Sequence, residues 1–136
     1  MANYYTDFSF RVENVTQEEM AWALQEYEKG DLIDEGADYD GYYFGLKERG
    51  DALWFSSEDG GGDVNSLADF LEKFINQFRP DEVIWFEYAF TCDQLRVGAF
   101  GGGCVVIGKE GQHWMDIGAW AADKEESIKE GRQQPG

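Results

Sequence analysis

Histidine occurs once in this chain, at His113, and cysteine twice, at Cys92 and Cys104. One His and two Cys at scattered positions lack the paired ligands of a structural zinc site. A Cys–His nucleophile pair would have to form in space, and both cysteines lie in apolar strand contexts, where thiols are mostly inert core groups. Two cysteines make no disulfide framework. No apolar run reaches the roughly 18 residues needed to span a bilayer. Met1-Ala2-Asn3-Tyr4 has neither the basic nor the apolar region of a signal peptide, so a cytoplasmic location with reduced thiols is expected. Bases are also scarce: 11 Lys plus Arg stand against 28 Asp plus Glu, a formal net charge of −17. Phosphates repel such a chain, which argues against direct nucleic-acid binding.

Cofactor and metal motifs fail on inspection. Gly101-Gly102-Gly103 leads into a strand, not a helix, and lacks the Lys-Ser/Thr ending of a phosphate loop. A sharp bend or bulge is expected there. Gly60-Gly61-Gly62 precedes a helix, but Glu58, Asp59 and Asp63 would repel a phosphate, so it reads as a linker. Laid on the EF-hand frame, Asp38, Asp40 and Gly41 fall at positions three, five and six. Positions one and twelve are then Gly36 and Lys47, where carboxylates are required. The expectation is no cofactor, no metal and no catalytic residue. A small enzyme using carboxylates or a Cys–His pair is the more distant alternative.

What is present is a strong core signal between Asp63 and Cys92. Leu67, Phe70, Leu71, Phe74, Ile75 and Phe78 recur at helical spacing, with Asp63 or Asn65 placed to cap the first turn. Arg79-Pro80 ends the helix, because the residue before proline is driven out of the α region. Val83 to Cys92 follows, rich in aromatic and β-branched residues, and reads as a central strand buried on both faces.

Around this core the remaining elements take their places. Tyr4, Thr6, Phe8, Phe10 and Val12 alternate with polar residues, predicting one half-buried strand. Thr16 and Glu19 form a capping box, with Val15 and Met20 at the staple positions. Met20, Ala23, Leu24 and Tyr27 make that helix's apolar stripe, which leaves Glu18, Glu19, Glu26 and Glu28 on an acidic outer face. Two hairpins are expected, one across Glu48-Arg49-Gly50-Asp51 and one across Gly108-Lys109-Glu110-Gly111. The order is β-α-β-β-α-β-β-β with a possible short C-terminal helix over 119–130. This predicts an α+β fold: a mostly antiparallel sheet with two helices on one face. Residues 1–130 are expected as one compact domain, and 131–136 as a disordered tail.

The charge is unevenly spread. Between Glu13 and Asp63 there are 15 acids and three bases, Lys29, Lys47 and Arg49, for a net −12. Solubility alone needs a net charge of only about 2–8 in a small domain. The densest part is Asp31 to Asp40, with five acids and no base. The expected partner-binding surface comprises Asp31, Asp34, Glu35, Asp38, Asp40, Glu58 and Asp59, with Trp22 and Tyr43 as aromatic anchors.

Asn3-Tyr4-Tyr5-Thr6-Asp7-Phe8-Ser9-Phe10, Trp85 to Cys92 and Phe100-Gly101-Gly102-Gly103 together resemble a group of small acidic proteins of bacterial phages and plasmids. That group has no agreed activity and supplies no catalytic residues. The resemblance implies a bacterial cytosol and a mobile element, where such proteins often inhibit restriction or CRISPR machinery, some as DNA mimics. The leading expectation is therefore a non-enzymatic inhibitor that docks its acidic surface on a basic nucleic-acid-binding protein, such as a nuclease or CRISPR effector. An immunity protein neutralising a basic toxin is the alternative.

Overall fold

A computed structural model describes residues 3–29, 42–57 and 62–133. The elements run β1 (Tyr4–Asp7), β2 (Ser9–Val12), α1 (Gln17–Glu28), β3 (Gly45–Arg49), β4 (Ala52–Ser56), α2 (Val64–Phe78), β5 (Ile84–Cys92), β6 (Gly101–Gly108), β7 (Gly111–Asp116) and α3 (Ile117–Gln133). The fold is α+β with antiparallel pairing throughout, in the expected order of elements. Among the described residues there are two sheets, one of four strands ordered β1-β5-β6-β7 and one of three ordered β2-β4-β3.

Two sheets arise because the first apolar run divides at Phe8. β1 pairs with β5, while β2 pairs with β4. At the corner the Phe8 N–H donates to Ser57 Oγ at 3.0 Å, and the Phe8 carbonyl accepts from Ser57 N at 3.0 Å. Both backbone groups of a buried residue are thus satisfied away from either ladder. The alternation continues unbroken across the corner, so it carries no sign of the change of sheet.

α2 is the centre of the core. Asp63 caps it, its side chain accepting from Asn65 N, and Leu67, Phe70, Leu71, Phe74 and Ile75 are buried. Burial of five such side chains contributes on the order of 10 kcal/mol, at roughly 2 kcal/mol each. An aromatic ladder joins the layers. Phe10 stacks on Phe55 and on Phe86, each at 5.1 Å, and Phe70 packs on Phe44 and Phe55. β5 is central in its sheet, as expected, but only one face of it is buried. Phe86 and Tyr88 point into the core, while Trp85, Glu87 and Ala89 face water.

The second hairpin closes through Lys109-Glu110, and its triglycine run is regular strand, not a bend or bulge. Gly101, Gly102 and Gly103 pair in register with Phe90, Ala89 and Tyr88. A Cβ on Gly103 would lie 2.0 Å from the Met115 carbonyl oxygen, and one on Gly102, at φ +150°, 2.4 Å from that of Tyr88. Glycine is required by close backbone approach. α3 is longer than expected, at 17 residues, and takes in residues 131–133 of the expected tail.

Candidate functional site

Two buried carboxylates organise the surface around α1, and both correct the expected acidic outer face. Glu19 and Glu26 are turned inward. Glu19 completes the predicted capping box with Thr16. It also accepts from Arg79, with Nε at 2.8 Å and Nη2 at 3.0 Å. Arg79 closes α2, and its Nη2 also reaches the carbonyls of Glu13 and Asn14, locking the turn into α1. The hydrogen bonds from Arg79 hold the Glu19 carboxyl below its ordinary range, against the opposing effect of burial.

Glu26 gathers a second cluster. Tyr42 Oη donates to it at 2.7 Å, Lys29 Nζ at 2.9 Å and Lys73 Nζ at 3.4 Å, and Lys73 also donates to Tyr42 Oη at 2.8 Å. Burial works to raise the Glu26 carboxyl, but the hydrogen bonds from Tyr42 and Lys29 outweigh it and the net direction is down. The Tyr42 phenol is pushed up to about 12, chiefly by burial. The hydrogen bond to Tyr42 raises Lys73. Lys29 and Tyr42 are the described residues on either side of the acidic segment, so both its flanks are tied to one carboxylate.

Of the expected partner-binding residues, Asp31, Asp34, Glu35, Asp38, Asp40, Glu58 and Asp59 lie outside the described residues. Trp22 is half-buried, its ring against Phe70, Phe74 and Phe78. One edge lines a shallow hollow of about 520 Å³ with Glu26, Lys29 and Lys73. Tyr43 is exposed, while its backbone is pinned to Ser66 Oγ and Asp63 N. Both aromatics therefore stand beside the anchored flanks. Elsewhere between residues 13 and 63, Glu13, Glu18, Glu28, Glu48 and Asp51 are exposed.

Another concavity has the opposite charge. A hollow of about 720 Å³ on the outer face of the three-stranded sheet is lined by Ser9, Phe10, Arg11, Glu13, Arg49 and Trp54. Lys47 Nζ and Arg49 Cζ lie 5.5 and 5.3 Å from the Trp54 ring centre, and Trp54 Nε1 donates to Ser9 Oγ. Cation–π attraction gathers these bases over the ring. Sequence order hid this grouping, because Arg11 comes from β2 and the others from the β3–β4 hairpin.

His113 and Cys104 share the outer face of the four-stranded sheet, but in adjacent rows: His113 pairs with Val106, and Cys104 with Met115. Cys92, the last residue of β5, pairs with Tyr4 of β1. Neither thiol is in the core; each is half-buried. Among the described residues no group of three His, Cys, Asp or Glu side chains could hold a metal ion, and no helix is long and apolar enough to cross a membrane. No family model, curated protein or solved structure matches the chain.

Proposed function

We propose that this protein is a non-enzymatic inhibitor that docks an acidic surface on a basic, nucleic-acid-gripping protein of the restriction or CRISPR type. The observation that carries the reading is the net −12 between Glu13 and Asp63. The geometry adds support. Lys29 and Tyr42, the described residues on either side of the densest acidic segment, both hydrogen-bond Glu26. A basic DNA channel offers the complementary field, which speeds association and selects partners.

Replacing Asp34, Glu35, Asp38 and Asp40 together by Asn or Gln tests the reading. Crowded carboxylates repel one another, so Tm should hold or rise. Capture of nucleic-acid-binding proteins from a bacterial lysate, strong for the natural chain at low salt and weakened at high salt, should be lost in the variant. No such protein recovered at either salt, or capture undiminished in the variant, would refute it.

A further inference from the structure

α2 covers one face of the four-stranded sheet, with α1 packed on α2, and the sheet's other face is left bare. Cross-strand rows there are Trp85–Val106–His113 and Glu87–Cys104–Met115. Ile117, the first residue of α3, joins Trp85, Cys104 and Met115 around an apolar hollow of about 300 Å³. From Ile117 the same side of α3 carries Trp120, Ala121 and Ile128 at helical spacing, with Lys124 and Glu125 between them and the Lys124 ammonium over the Trp120 ring. Every α3 residue from Ile117 to Arg132 is exposed. A 17-residue helix holding Gly118 and Gly131, with no packed face, is marginal by itself in water.

We infer that a second copy of this chain covers this face, in a two-fold dimer centred on Trp85 and Trp120. Area is the first reason. Trp85 and Trp120 leave 59% and 55% of their surface exposed. With Val106, Met115, Ile117 and Ile128 they present roughly 600 Å² of apolar surface, taking about 250 Å² for a whole tryptophan. A standard interface buries about 800 Å² per partner, of which some 65% is apolar in homodimers, so this patch supplies the whole apolar share.

Charge is the second reason, and it selects the partner. Two chains of −17 repel each other, so a shared interface has to be poor in charge. α3 carries four acids and three bases, a net −1, and the two central rows of the sheet face carry one acid, Glu87. A strongly basic partner would find little here to attract it.

Sedimentation equilibrium of the full chain at micromolar concentration should give twice the 15.5 kDa chain mass. Raising salt should strengthen the dimer, because screening relieves repulsion between the copies. That is opposite in sign to acidic docking, so the two readings fail separately. Trp85→Glu and Trp120→Glu should each weaken dimerisation by about thirtyfold, as central aromatic anchors do. Circular dichroism checks that the variants fold. Ile128→Lys, far along the exposed helix, should also weaken the dimer without touching the core, while Trp54→Ala on the other sheet should leave it intact. A monomer at every concentration would overturn the proposal, as would a dimer indifferent to Trp120→Glu and Ile128→Lys. A monomer that captures a different protein through Trp85 would also overturn it.

Discussion

Removing the Arg79 side chain is expected to cost about 3 kcal/mol, among the largest single-residue effects available outside the aromatic core. Arg79→Met keeps much of the apolar stem that packs on Phe74 but strips every donor from Glu19 except the Thr16 and capping groups. Breaking a fully buried ion pair from one side costs about 3–5 kcal/mol, because an uncompensated charge stays behind. Here the side chains are 15% and 7% exposed, so water reaches the edge of the pair and the low end applies. Urea denaturation at neutral pH should show the midpoint lowered by about 1.5 M, with Tm down by about 10 °C. Glu19→Gln added to Arg79→Met removes the stranded charge and keeps the capping box, so most of the loss should be recovered. The pH dependence gives an independent check. In the natural chain the Glu19 carboxyl is held below its ordinary 4.5, so the unfolded chain takes the proton first. The pair's contribution is present above about 4.5 and is lost as pH falls through the lower folded value. In Arg79→Met burial dominates and the sign reverses, so the deficit should shrink as pH drops from 6 to 4. A deficit below about 0.5 kcal/mol, the usual size of a surface change, or one that does not vary with pH, would refute the account.

Three further outcomes follow from the structure. Tyr42 should ionise at about 12 in ultraviolet titration, above the ordinary 10 of a phenol. Because the folded value is raised, its contribution is complete below pH 10 and declines between 10 and 12, and Tyr42→Phe should remove that decline. Gly103→Ala should prevent folding, since the added methyl would overlap the Met115 carbonyl. Gly131→Ala meets nothing within 4 Å and should raise helicity and stability by up to about 1 kcal/mol. Soluble yield and circular dichroism decide both; a well-folded Gly103→Ala protein would show the β6–β7 register to be wrong.

Local chemistry was legible in the sequence wherever it acts over a few residues. The spacing of Leu67, Phe70, Leu71, Phe74 and Ile75 defined α2 and its buried face, because an apolar stripe at that period can be hidden only one way. Thr16 with Glu19 marked the start of α1, and Gly50-Asp51 and Lys109-Glu110 closed the two hairpins, since caps and tight turns depend on near neighbours. The concentration of acid before Asp63 was equally plain. Tertiary structure alone decided matters that depend on distant residues meeting. The alternation from Tyr4 to Val12 is the same whether the chain stays in one sheet or turns a corner, so the division at Phe8 came from Ser57, 49 positions away. Glu19 and Glu26 looked like surface acids until Arg79, Tyr42 and Lys73 arrived from elsewhere in the chain to make their burial tolerable. Arg11, Lys47, Arg49 and Trp54 became a single basic hollow only when β2 paired with β4. Trp85 read as core because it belongs to a continuously apolar strand. Its exposure followed from α2 covering the other face of the sheet, with α1 packed on α2, a choice set by the summed packing of the whole chain and by no residue near Trp85.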